Sequence, residues 1–127
     1  MELYYNLTAN RGVKCWNRLG KNVILSCRVL PHLCNHSQKK FSKEYADIVD
    51  ELERNGRLSM PTGEKVDSTL FAIRVIQAGN VRVFYVYGKE NNIYGLHGYV
   101  KKTQQIPAKE KRLAEKIVKL LRKEELL

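Results

Sequence analysis

Long hydrophobic runs are missing from this chain. Spanning a bilayer takes ~18 to 20 uncharged apolar residues, and the best stretch, "NVILSCRVL", is short and broken by Arg28. No membrane partner is expected. The beginning of the chain does not read as a secretory signal. Cysteine is also scarce. Cys15, Cys27 and Cys34 are an odd number with no CxxC pair, which argues against a disulfide framework and fits a reducing compartment, so the cytoplasm is the expected location. The only metal-like cluster, "HLCNH" with His32, Cys34 and His36, has no partner cluster elsewhere, so neither a metal site nor any cofactor is expected. No repeat, low-complexity tract or linker divides the 127 residues. One domain over residues 1–127 is expected, with residues 1–40 the least readable.

Acidic residues are few at both ends. Residues 1–40 hold seven basic and one acidic side chain, residues 41–96 seven and eight, and residues 97–127 nine and four, for a formal net charge of +10. A field of that sign favours polyanionic partners, nucleic acid first.

Periodicity becomes readable at Phe41. Phe41, Tyr45, Ile48 and Leu52 lie on one helical face, Ser37 or Ser42 could cap the start, and Gly56 can end it. After the loop "RLSMPTGEK", the stretches "TLFAIRVIQ", "VRVFYVY" and "IYGLHGYV" read as an antiparallel meander joined by "AGN" and "GKENN". Pro107 suits the first turn of a closing helix, whose Leu113, Ile117, Leu120 and Leu121 form an apolar stripe. In residues 1–40, "ELYYNLT" could be a strand, and "NVILSCRVL" a strand or a buried helix.

Between the last strand and that helix lies "GLHGYVKKTQQIPAKEK", with Lys101 and Lys102 adjacent. Such a pair is either a solvated turn or a phosphate site. Cations near a helix start oppose its dipole, which supports a functional reason for them. The strand ending in an arginine ("LFAIR"), then "VRVFY", then "LHGYVKKTQQIPAKE" resembles the HigB/RelE-like toxins of bacterial toxin–antitoxin systems, in their phage-derived branch. The likeness runs over roughly residues 41–121 and includes "ELERNGRLSMPTGEKVDSTLFAIR". Two positions depart from the usual pattern: Ala72 stands where an acidic residue is usual two places before the strand arginine, and Ile106 stands where a Thr usually precedes the proline. A lost hydroxyl cap typically costs ~1 kcal/mol.

The resemblance implies a compact α+β domain, a RelE-like fold with a twisted antiparallel sheet, helices packed on one face and a closing C-terminal helix. It also implies an mRNA endoribonuclease acting on the ribosome, held by a helix-turn-helix antitoxin with which it binds operator DNA. Cleavage by 2′-hydroxyl attack needs stabilisation of phosphate charge and proton transfer at both oxygens. Arg74 and Arg82 are the candidates for phosphate charge, because a guanidinium can bind two phosphate oxygens at once. Lys101 and Lys102, crowded together, could combine phosphate binding with proton transfer. His97 and Tyr99 join the catalytic candidates, and Tyr85, Thr103 and Gln104 the RNA-binding ones.

Each has a plainer reading. The arginines could be edge residues of a half-exposed sheet, His97 a hydrogen-bonded sheet histidine, and the tyrosines core or rim. Register decides. A three-residue loop at "AGN" would pair Arg74 with Phe84 and put Arg74 and Arg82 on one face, whereas two or four residues would separate them. A four-residue turn at "GKENN" would put His97 on the face of Arg82, and a five-residue turn would put it with Val83 and Tyr85.

Overall fold

A computed structural model describes residues 3–5, 16–19, 23–26 and 38–127 except Ala78, with side chains from Lys43 onward. Its elements in chain order are β1 (Leu3–Tyr5), β2 (Trp16–Leu19), β3 (Val23–Ser26), α1 (Gln38–Asn55), β4 (Gly63–Lys65), β5 (Phe71–Val75), β6 (Val81–Tyr87), β7 (Ile93–Val100) and α2 (Ala108–Lys123). The seven strands form one sheet in the order β1-β2-β3-β7-β6-β5-β4. Strands β4 to β7 are antiparallel neighbours, as the meander predicts, and the amino-terminal strands extend them through one parallel pair, β3 with β7. "NVILSCRVL" thus supplies a strand, and "HLCNH" lies outside the described residues.

The apolar stripe makes α1 a helix that must be covered: Tyr45, Ile48, Val49 and Leu52 are buried at i, i+3, i+4 and i+7. Gly56 ends it at φ +74°, a left-handed conformation that favours glycine, with its N–H donating to Leu52 O at 2.8 Å. The helix begins at Gln38, so Ser42 lies inside it. On α2 the buried residues are Ala114, Ile117, Val118 and Leu121, with Leu113 and Leu120 half-buried. The stripe is therefore rotated by about one position from the leucines that periodicity favours. Small Ala114 allows the close approach, while the larger leucines flank it.

The α+β class and the closing helix are as expected, but the helices do not pack on one face. Ile73, Val75, Val81, Val83 and Tyr85 cluster with α1, whereas Ala72, Phe84, Val86, Tyr94 and Leu96 cluster with α2. Successive side chains of a strand point to opposite faces. Both faces of β5 and β6 are apolar, so each needs a cover, and the two described helices take one each. The chain end helps hold α2 in place, because Lys89 N–H donates to Leu126 O at 3.0 Å and Leu126 packs against the α2 cluster.

Candidate active site

The register brings the two strand arginines together. Val75 pairs with Val81, leaving a five-residue connection, and Arg74 stands directly opposite Arg82 rather than Phe84. The loop is longer than three residues, but any odd length preserves the shared face. Arg74 N–H donates to Thr62 O on the far side, at 2.8 Å, so the two arginines form the non-hydrogen-bonded kind of pair, in which side chains lie closer.

A bulge delivers His97. The β6–β7 turn spans five residues, from Tyr87 opposite Ile93, which would put His97 with Val83. Between Phe84 and Tyr85 the register slips by one, so that Tyr85 faces Gly95 and Phe84 faces His97. Leu96 is the extra residue. Such an insertion re-aims the side chains beyond it, and His97 and Tyr99 thereby join Phe84 and Arg82 on the α2 face.

On that face polar atoms are packed densely. Arg82 is 4% exposed, and its Nε lies 3.5 Å from Oε1 of Glu64 on β4. That is an ion pair too long for a good hydrogen bond. Arg82 Nε and Nη1, Arg74 Nε, Glu64 Oε1 and the Tyr99 hydroxyl are all buried without a hydrogen-bond partner. Burial and then the charge of Arg74 push the Arg82 guanidinium below its usual value, with Glu64 opposing. Like charges directly opposite one another in a sheet are unfavourable, so folding alone gives no reason for this pair. Burial pushes the Tyr99 phenol up to about 12, so it keeps its proton at neutral pH and has a donor to offer.

The neighbouring groups are tied down. His97 Nε2 lies 2.6 Å from Oε1 of Glu110, in the first turn of α2, where a carboxylate suits the helix dipole. His97 Nδ1 is buried without a partner. The imidazole lies nearly parallel to the Tyr99 ring, 13° between planes and 6.3 Å between centroids, and Tyr99 in turn stacks on Phe84 at 5.4 Å. With one nitrogen held and the other buried, His97 braces Tyr99 rather than facing solvent.

Beyond Arg82 the sheet opens into a hollow of about 330 Å³ lined by Asn80, Arg82, Lys101, Lys102, Thr103 and Gln104. Lys101 is half-buried, with its N–H on Asn80 O at 2.9 Å, while Lys102 is exposed. The Thr103 hydroxyl donates to Gln105 O at 2.8 Å, bending the strand exit into a compact turn. Pro107, in an extended conformation, is itself the N-cap of α2 and offers no side-chain cap, and Ile106, one place before it, packs on the core.

Arg74, Arg82, His97 and Tyr99 thus share one face, and Lys101, Lys102, Thr103 and Gln104 border Arg82. Tyr85 does not join them. It is buried on the α1 face, stacked on Phe71 at 5.6 Å, and β-strand alternation keeps it from the arginines. Sequence reasoning missed Glu64, Glu110 and Asn80. The three-residue strand "GEK" carries no β-branched signal, but Glu110, three residues beyond Pro107, was legible as a first-turn anion. Glu64 pairs in register with Ala72, so a carboxylate stands one strand away from the position where the resemblance expects one. Among the described residues no group of three or more His, Cys, Asp or Glu could hold a metal ion, and no helix is long and apolar enough to cross a membrane.

Residues 35–119 match the family described as phage derived protein Gp49-like (DUF891), about two-thirds of the chain and every element of the site. No curated protein matches it.

Proposed function

From the premise that the chain belongs to the Gp49-like family, which is associated with toxin–antitoxin systems, we propose that it is the toxin of such a pair, an endoribonuclease that cleaves mRNA on the ribosome and so arrests translation and growth. The observation that carries this reading is the pair of a half-buried Arg74 and a buried Arg82, facing each other with unused buried donors, beside a lysine-rimmed hollow. A protein maintains such a pair against its own repulsion where an anion is to be bound.

In the reaction, the ribose 2′-oxygen bonds to the adjacent phosphorus and the bond to the 5′-oxygen breaks, leaving a 2′,3′-cyclic phosphate and a 5′-hydroxyl. Arg74 and Arg82 stabilise the added charge on the phosphate oxygens. Tyr99, protonated at working pH, donates a hydrogen bond to the same group, and Glu110 through His97 fixes its ring. Proton transfer falls to Lys101 and Lys102 at the rim. Thr103 and Gln104 contact the flanking RNA.

The expected setting is a single cytoplasmic domain, 1–127, restrained by a helix-turn-helix antitoxin, with the pair binding operator DNA. A second reading, a non-catalytic basic module that docks on RNA or protein, draws on the solvent-facing position of Lys102. Inducible expression with mapping of mRNA 5′ ends separates the two. New ends with wild type, absent with Lys101→Ala/Lys102→Ala, are expected; intact mRNA in both would favour the module.

A further inference from the structure

We propose that Glu64 is an internal counter-anion, occupying the charge of the Arg74–Arg82 pair until an RNA phosphate displaces it. This rests on reading the arginine pair as the phosphate site.

Three observations carry it. The first is charge: Arg74, Arg82, Lys101 and Lys102 gather at one end of the α2 face, and the Glu64 carboxylate forms an ion pair with Arg82 there. It offsets part of the repulsion between two cross-strand guanidiniums and leaves the group positive. The second is geometry. At 3.5 Å, with Glu64 Oε1, Arg82 Nε and Nη1 and Arg74 Nε all lacking hydrogen-bond partners, the carboxylate compensates charge but uses none of those donors. A phosphate group has oxygens enough to engage both guanidiniums with short, charge-assisted bonds. The ligand therefore makes bonds that the resident carboxylate does not.

The third is placement. Glu64 is the middle residue of β4, a three-residue strand at one edge of the sheet, and its side chain is 29% exposed. Such a side chain can swing into solvent without disturbing the core. By contrast, the Glu110 carboxylate, 2.6 Å from His97, is held by a short bond and does not serve as the exchangeable anion.

The consequence is selectivity. A weakly anionic ligand must compete with Glu64, whereas a polyanionic RNA strand, drawn in by several cations at once, displaces it. Neutralising the carboxylate should thus strengthen RNA binding, although it removes a charged partner from a buried arginine. If Glu64 instead serves to hold Arg82 in place, neutralising it should weaken binding.

The test compares wild type, Glu64→Gln and Glu64→Asp, using the binding of a short single-stranded RNA oligonucleotide by fluorescence anisotropy, inorganic phosphate as competitor, and cleavage on translating ribosomes. Glu64→Gln should tighten RNA binding by about threefold or more at low salt, with the gain shrinking as salt rises. It should lower the KM of cleavage without raising kcat. Glu64→Asp, which draws the charge back by one methylene, should fall between the two and serves alone if the Gln variant does not fold. Unchanged or weaker RNA binding in the folded variants overturns the proposal. The nuclease reading fails separately: tighter binding without cleavage by any variant leaves the counter-anion standing and removes the enzyme, while cleavage without tighter binding does the reverse.

Discussion

The two faces of the same sheet are built to different ends. On the α1 face, β5 and β6 present Ile73, Val75, Val81, Val83 and Tyr85, apolar or aromatic at every step, closed by Tyr45, Ile48, Val49 and Leu52. On the α2 face the apolar run holds from Val86 and Tyr94 to the Phe84–Tyr99 stack and then stops, giving way to Arg74, Arg82, His97 and Glu64. One face obtains stability from burial, while the other leaves polar groups buried and partly unsatisfied, which costs stability. The contrast locates chemistry more sharply than net charge does, because most basic residues of α2 are exposed, whereas Arg82 is buried and Arg74 half-buried.

The comparison breaks most visibly at Leu52, fully buried between α1 and the sheet. Leu52→Ala removes that side chain from a close-packed layer and should cost about 2–5 kcal/mol in urea denaturation. Activity per folded molecule should persist, because nothing on the α2 face touches Leu52. A variant of full stability would mean that α1 is loosely docked.

The opposite outcome is expected at Arg82. Arg82→Met retains the aliphatic volume and removes a buried cation facing Arg74, so the denaturation midpoint should stay level or rise. Cleavage should nonetheless fall by about 100-fold or more, the scale set by losing a charged donor at a reacting phosphate. A loss of stability of about 3–5 kcal/mol would instead make Arg82 and Glu64 a structural pair.

How far the sequence reaches follows from the same two faces. Period-2 alternation in "LFAIR" and "VRVFY" was enough to put both arginines on one side once the loop length proved odd, even with that length wrong. Helical periodicity found both helices, and turn residues bounded the strands. What stayed hidden depends on contacts distant in sequence. The bulge at Leu96 depends on the packing of β7 against β6, and it overturns the face that the five-residue turn would assign to His97. No local pattern specifies a three-residue edge strand, so Glu64 stayed unseen. Which face each helix covers is a property of the assembled sheet, and the expectation of one covered face failed there.

The smallest effect tests how α2 is held against its face. In the loop between β4 and β5, Asp67 Oδ1 accepts from the N–H groups of Thr69 at 3.0 Å and Leu70 at 2.9 Å, while Lys111 of α2 reaches Oδ2 at 3.6 Å. The Thr69 amide, with lesser help from Leu70 and Lys111, holds the carboxyl below its ordinary 3.8 against the opposing effect of burial. A carboxyl that ionises more readily in the folded chain contributes stability that is present at neutral pH and is lost as the pH falls below that value. Asp67→Ala should therefore cost about 1 kcal/mol at pH 7, and the gap from wild type should narrow in urea titrations near pH 3. Because the ion pair with Lys111 is partly exposed, high salt should remove only a minor part of the effect. A gap that stayed constant with pH would assign the stabilisation to loop conformation rather than to the charge that links this loop to α2.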